Sequence, residues 1–385
     1  MTRDEGPNPP RPGVLSDREL WMAIREGWIR ATQPIADAQV QPASLDLRLG
    51  GEAYQLRASF LPGEETVQAR LRQTDSVDDL VIDRISLSPA ATLQPRSVYV
   101  VPLAESLQLP RTIRGRCNPK STTGRLDIFT RVITDESERF DEVRAGYHGP
   151  LYLEVAPQSF PIRLQAGVCL SQLRLLAGSP ALSDQTLRRL YRTTPLLYAD
   201  NDRPLDLREV TFHEGLCMSI DLSGRLTEGV IGYRAHPHPP VVDLSKLGFY
   251  DPSEFWEPIK RPNRDAFILE ADRFYILVSK ERIRVPPEFA AEMVVYDAGA
   301  GEIRTHYAGF FDPGFGFGDG SVLGTKVVME VRAREVPFMV YDGQTSFKVW
   351  FERLCGPPER VYGVGRGSSY QHQALTLSKQ FRRPA

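Results

Sequence analysis

The stretches "LQPRSVYVVPLAESLQLP" (93–110) and "LEADRFYILVSKERIRVP" (269–286) align without a gap. Leu93, Tyr99 and Pro110 fall on Leu269, Tyr275 and Pro286, a constant offset of 176. The same offset carries Glu154 onto Glu330, Pro161 onto Pro337 and Gly167 onto Gly343. Upstream, "SLDL" (44–47) answers "SIDL" (219–222), and "LSDREL" (15–20) answers "LSDQTL" (182–187). Similarity that keeps order and spacing over so much of a chain marks an internal repeat. The chain therefore reads as a duplicated domain, one copy over 1–181 and the second over 182–385.

Each copy has the same plan. A short helix starts from an N-cap, Ser16 or Asp17 in the first copy and Ser183 or Asp184 in the second. Short alternating segments follow, such as "SLDLRLG", "SVYVVPL", "DIFTRVI", "PLYLEVAP" and "LSQLRLL", divided by Gly, Pro and Asp turns. Period-2 alternation with close turn signals predicts a mainly β, antiparallel sandwich or barrel in each copy. The segment "DPSEFWEPIKRP" (251–262) reads as a loop or a short helical turn.

Composition bounds the function. At 385 residues, two domains are expected, and 41% hydrophobic with 25% charged residues is ordinary for a globular protein. A formal charge of −2 leaves no footprint for nucleic acid, so any phosphate must meet a local basic pocket. Cys117, Cys169, Cys217 and Cys355 are widely separated and form no C-x-x-C, which argues against a zinc site or a disulfide framework. There is no apolar run of spanning length, and "MTRDEGPNPPRPG" lacks a signal-peptide core, so a cytoplasmic protein without a membrane role is expected.

Candidate chemistry centres on "NPKSTTGRLDIF" (118–129), which sets Lys120, Ser121, Thr122 and Arg125 between apolar flanks. Glu154, inside the apolar "LYLEVAP", admits two readings. It either faces solvent on the polar side of the strand, or is buried with a partner or a task. With Ser121 and Arg125 it suits a polar-ligand site: planar guanidinium donors, a hydroxyl, and a carboxylate to handle protons. In the second copy Ser121 falls on Asp297 and Arg125 on Gly301, while Glu330 persists. The fold thus keeps its frame without those side chains, which favours a ligand as their reason in the first copy.

These motifs resemble the dCTP deaminase and dUTPase superfamily. "PKSTTGRLDIF" is similar to its S-S-x-x-R-x-G segment, "GPLYLEVAP" to the following strand with the deaminase glutamate, and "LSDREL…IREGWI…QPASLDLRLG" to the deaminase start. The likeness covers most of 13–176 and, more weakly, 182–385. It implies two tandem dUTPase-like, β-clip type domains, each preceded by a short helix, and metal-independent deamination of dCTP to dUTP and ammonia. By motif position it implies Glu154 as the proton shuttle with Ser121 and Arg125 as partners. Lys120 and Thr122 would contact the substrate, and "RFD" would supply Arg139 and Asp141, the latter as a sugar contact. No cofactor is implied for the chemical step; Mg2+ would accompany the triphosphate. A homotrimer and dTTP as an inhibitor are also implied.

The chain departs from the pattern at Thr122 and Asp127, where the family has serine and glycine. Its end, "GSSYQHQALTLSKQF" (367–381), is similar to the family's S-K-Y-Q-x-Q tail, which folds over bound triphosphate. Tyr370, Gln371 and Gln373 match; Ser369 stands at the lysine position, with Arg366 or Lys379 to supply the charge. The expectation is a catalytic first copy and a degenerate second copy that lends its tail as a lid, removable with the fold intact. The alternatives are a dUTPase or bifunctional deaminase–diphosphatase, with Asp141 aiming water at phosphorus, and a non-catalytic nucleotide-binding regulator.

Overall fold

The computed structural model describes residues 11–72, 80–262, 265–295, 304–305, 309–333, 336–364 and 370–383. The chain is mainly β. In the first copy, helix α1 (Asp17–Arg25) starts at Ser16, which forms a capping box with Glu19. The strands that place the site are β1 (Ser44–Arg48), β2 (Val98–Gln108), β3 (Ile113–Pro119), β4 (Ile128–Thr134), β5 (His148–Pro157) and β6 (Cys169–Ala177). A single helical turn, α2 (Ser121–Gly124), separates β3 from β4. In the second copy come α3 (Asp184–Thr193), capped by Ser183, then β7 (Leu216–Ser219), β8 (Phe274–Ile283) and β9 (Phe289–Val295). These are followed by β10 (Phe310–Phe311), β11 (Thr325–Arg332) and β12 (Thr345–Arg353).

The duplication read from the sequence holds down to strand register. β3 pairs antiparallel with β6 with Ile113 opposite Ala177, and β9 pairs with β12 with Phe289 opposite Arg353. β5 pairs with β2 through Glu154 and Val100, and β11 with β8 through Glu330 and Ile276. Each of these pairs moves by the same offset on both strands. A one-residue slip would turn every apolar side chain outward, so the shared apolar pattern fixes the shared register. Asp297 and Gly301, the second-copy counterparts of Ser121 and Arg125, lie outside the described residues.

The segment 251–262 departs from its reading. After one turn at Pro252–Glu254 it forms the strand Trp256–Lys260, paired with Val230–Ala235. The reason is Trp256, 1% exposed and packed edge-on or tilted against Phe160, Phe274 and Phe381. Local Pro and charge signals read as a loop, but burial of one large aromatic outweighs them.

The two copies share a core. One buried cluster joins first-copy residues such as Leu47, Leu153 and Phe160 to Phe255, Trp256, Ile276, Leu377 and Phe381 of the second. A strand at Val242–Asp243 extends the first copy's small sheet by pairing parallel with Ile162–Leu164. The tail is part of this body. Leu377, Ser378, Gln380 and Phe381 are buried, and Phe381 packs against Tyr250, Phe255 and Trp256. The expectation of a removable lid is therefore corrected: cutting at 367 would strip aromatic packing from the core. Phe381→Ala is expected to cost about 3–5 kcal/mol of unfolding free energy, as for other buried aromatics. Denaturant unfolding followed by tryptophan fluorescence measures it.

Candidate active site

The turn after β3 is positioned by backbone bonds to the start of β6. Lys120 N–H donates to Leu170 O at 2.9 Å, and the Thr123 hydroxyl donates to the same oxygen at 2.8 Å. The turn lines a cavity of about 270 Å³ with Lys120, Ser121, Thr122 and Arg125. The opposite wall belongs to the second copy: Phe310, Phe311, Asp312, Val327, Val328 and Glu330, with Tyr370, Gln373 and Lys379 from the tail. The cavity thus lies between the copies.

Arg125 is 2% exposed and almost fully engaged by the tail. It donates to Thr376 O at 2.9 Å and to Gln373 Oε1 at 2.7 Å, with its guanidinium 3.8 Å from the centroid of the Tyr370 ring. Thr122 Oγ1 lies 3.0 Å from the Tyr370 hydroxyl, and Ser378 donates to Thr122 O. Arg125 Nε has no hydrogen-bond partner and stands 3.9 Å from Glu330 Oε1. Burial pushes the Glu330 carboxyl up to about 7, against the pull of Arg125. A carboxyl poised there can hold or release a proton near neutrality.

Two ammonium groups sit at the same cavity. Lys120 is paired with Asp46 of β1, whose own carboxyl is raised by burial and lowered by that lysine. Lys379 is depressed by burial and then by Lys120. Two cations held close with one carboxylate between them are suited to a polyanion. Asp312 completes the lining; burial lifts it to about 6, opposed chiefly by Arg174.

Glu154 is not in this cavity. It lies directly opposite Arg131 in the β4–β5 ladder, 1% exposed, and accepts from Arg131 Nε at 2.9 Å. Arg131 in turn lies over the Phe129 and Phe140 rings and donates to Ser59. The expected Ser121–Arg125–Glu154 grouping is therefore corrected to Ser121–Arg125–Glu330: copy two faces the turn of copy one across their interface. Asp141 lies elsewhere and is half-buried, its carboxylate accepting from Val132 N–H at 2.8 Å and lifted by desolvation to about 7. Arg139 is exposed and pairs with Glu142. Neither lines the cavity. Gln371 is a structural clamp, accepting from Gly316 N–H and donating to Gly314 O. Ser369 and Arg366 lie outside the described residues, whereas Lys379 does line the cavity. Asp46 and Asp312 were missed; the signal for Asp312 was the "DPG" turn of the second copy.

Family models decide the kinship. The N-terminal domain of 2'-deoxycytidine 5'-triphosphate deaminase matches residues 11–179, and its C-terminal domain matches 183–381. The chain belongs to the dCTP deaminase family. A dUMP-forming dCTP deaminase of Sulfurihydrogenibium sp. (strain YO3AOP1) is 26% identical over 195 residues, 49% of this chain and 99% of that protein. The dCTP deaminase of Sulfurisphaera tokodaii is 27% identical over 159 residues, 40% of this chain and 74% of that protein. The crystal structure of 2'-deoxycytidine 5'-triphosphate deaminase from Agrobacterium tumefaciens superposes with a TM-score of 0.82 at 42% identity, covering 90% of this chain and 99% of that one. Among the described residues, no helix is long and apolar enough to cross a membrane.

The Glu154–Arg131 pair, being off the cavity, gives a separable outcome. Arg131→Met leaves Glu154 buried without its partner and is expected to cost about 3 kcal/mol of stability, at the low end for a buried pair because Arg131 is 25% exposed. Denaturant unfolding checks this, and nucleotide affinity by calorimetry should be unchanged.

Proposed function

We propose that this protein deaminates dCTP to dUTP and ammonia, with Glu330 rather than Glu154 as the proton shuttle. The observation that carries this is Glu330 itself: a buried carboxyl held near 7 beside Arg125, in one cavity with Ser121 and two lysines. The names of its relatives, and the family to which it belongs, support the substrate.

In this reading the triphosphate lies toward Lys120 and Lys379, entering as its magnesium complex, with the metal part of the substrate. Val327, Val328, Phe310 and Phe311 supply apolar surface for the base and sugar. Asp312 accepts from the sugar 3'-hydroxyl, taking the place of Asp141, to which the family resemblance assigned a sugar contact. Ser121 and Arg125 orient water and base. Glu330 takes a proton from water as its oxygen bonds to C4, and delivers that proton to N3. It then takes the hydroxyl proton and passes it to the amino group. Ammonia leaves as the C4 carbonyl forms, and Glu330 returns to its starting state.

Several relatives carry the name dUMP-forming, which favours testing a second step, release of pyrophosphate from dUTP. Both walls of the cavity come from one chain, so neither reading requires the expected homotrimer; light scattering measures the oligomeric state separately.

Incubation with dCTP, and separately with dUTP, followed for ammonia and pyrophosphate, tests the proposal. Ammonia from dCTP is expected, and its absence overturns the deaminase reading. Glu330→Gln should lower kcat by about 10²–10⁴, the usual worth of a general base, while Glu154→Gln keeps kcat within about threefold. Because Glu330 works as a base when ionised, kcat/KM should fall on the acid side of pH about 7. Lys379→Met should raise KM for dCTP with little change in kcat, and leave KM for dCMP untouched.

A further inference from the structure

Arg174 is fully buried and belongs to the first copy, yet most of its partners belong to the second. It donates to Ala291 O of β9 at 2.8 Å and to Phe311 O of β10 at 2.9 Å. It also donates to Glu352 Oε2 of β12 at 3.3 Å, and its guanidinium lies 4.1 Å from the Phe310 ring centroid. The same guanidinium is 3.6 Å from Asp312 Oδ1, a buried oxygen with no hydrogen-bond partner.

What precedes Asp312 needs such support. β10 has two residues, paired with β9 at Ala291 with Phe311 and Glu292 with Phe310, with Met293 N–H donating to Gly309 O just before it. Arg174 clamps the carbonyl of the residue immediately before Asp312 and ties it back to β9. A planar guanidinium fork holds acceptors spread across its width in fixed directions, whereas an ammonium donates from a single point.

We propose that Arg174 is the positioning residue for Asp312, holding its carboxylate in the cavity to accept the nucleotide's 3'-hydroxyl. The inference rests on the reading of Asp312 given above. It makes the sugar end of the second copy's wall dependent on a side chain from the first copy. Other charged groups face Asp312: Asp46 of β1 and Lys120 of the turn after β3, with Tyr362, ahead of the tail, near it. Of these charges, only Arg174 also holds the adjoining backbone. Arg116, opposite Arg174 in the β3–β6 ladder, is occupied instead by Glu292 and Glu352.

The test compares dCTP with 2',3'-dideoxycytidine triphosphate, which lacks only the 3'-hydroxyl. The wild-type protein should prefer dCTP by about 10- to 100-fold in kcat/KM, the worth of a hydrogen bond to a charged group. Arg174→Met combined with Glu352→Gln removes charge from both sides of the buried pair. It should reduce that preference to about threefold or less, with kcat/KM for dCTP falling more than kcat/KM for the dideoxy substrate. Arg174→Lys, which keeps the charge but not the fork, should lose most of the preference as well. In an Asp312→Asn background, the Arg174 changes should have no further effect on the ratio. A folded variant with the wild-type preference intact overturns the proposal, as does a wild-type protein that does not distinguish the two triphosphates. If no ammonia is formed at all, the deaminase reading fails; the same ratio is then read from calorimetric dissociation constants of the two triphosphates.

Discussion

Everything at the site depends on how charges are matched where the two copies meet. Arg116 and Arg174 stand side by side on the β3–β6 ladder and enter the second copy, where Glu292 and Glu352 receive them. Asn118, two residues along β3, donates to Glu292 at 2.9 Å. Buried ions are costly unless each has a partner, so this lattice permits one docking arrangement and penalises slips. β3 leads into the turn with Ser121 and Arg125, which is held by the start of β6 and faces Asp312 and Glu330 across the cavity. Arg332 adds a further tie from the second copy, to Asp127 and Ser159 of the first.

Much of this was legible in the sequence, and the limits have a physical origin. Strand register followed from apolar alternation, which is local and survives in both copies. Ser121 and Arg125 stood out because the second copy keeps the frame without them. Which glutamate they meet could not be read the same way, since Glu154 and Glu330 occupy equivalent ladder positions. That choice is made by docking between copies, a relation with no sequence period. One clue was present: Glu330 persisted where its own copy had lost the neighbouring cation, so its partner had to come from elsewhere. Arg174 carries no motif at all and acquires its meaning from what tertiary structure sets opposite it, whereas Lys379 was one of two candidates for the tail's charge and lines the cavity.

Duplication within one chain also explains how the copies diverged. In an assembly of identical single copies, each residue change would alter every interface at once. Here the two halves vary separately. The first copy could place Arg131 against Glu154, with Phe129 and Phe140 around it, without disturbing the carboxylate that faces Arg125. Glu154 thereby becomes an ordinary buried ion pair, stabilised by the strand opposite.

The burial of Phe381 also has a consequence for the order of assembly. Leu377 and Phe381, which follow all the strands of the second copy, join a core made largely of first-copy side chains, Phe381 packing against Trp256. Domains commonly fold from the N-terminus as they are synthesised. This first copy cannot finish in that way, because Leu377 and Phe381, part of its interior, lie in a segment synthesised only after the second copy's strands. Tyr370, Gln373 and Lys379 arrive with that segment, so the cavity and the core close in the same event. A chain that ends early lacks both, and a half-built nucleotide site has no folded body to display it.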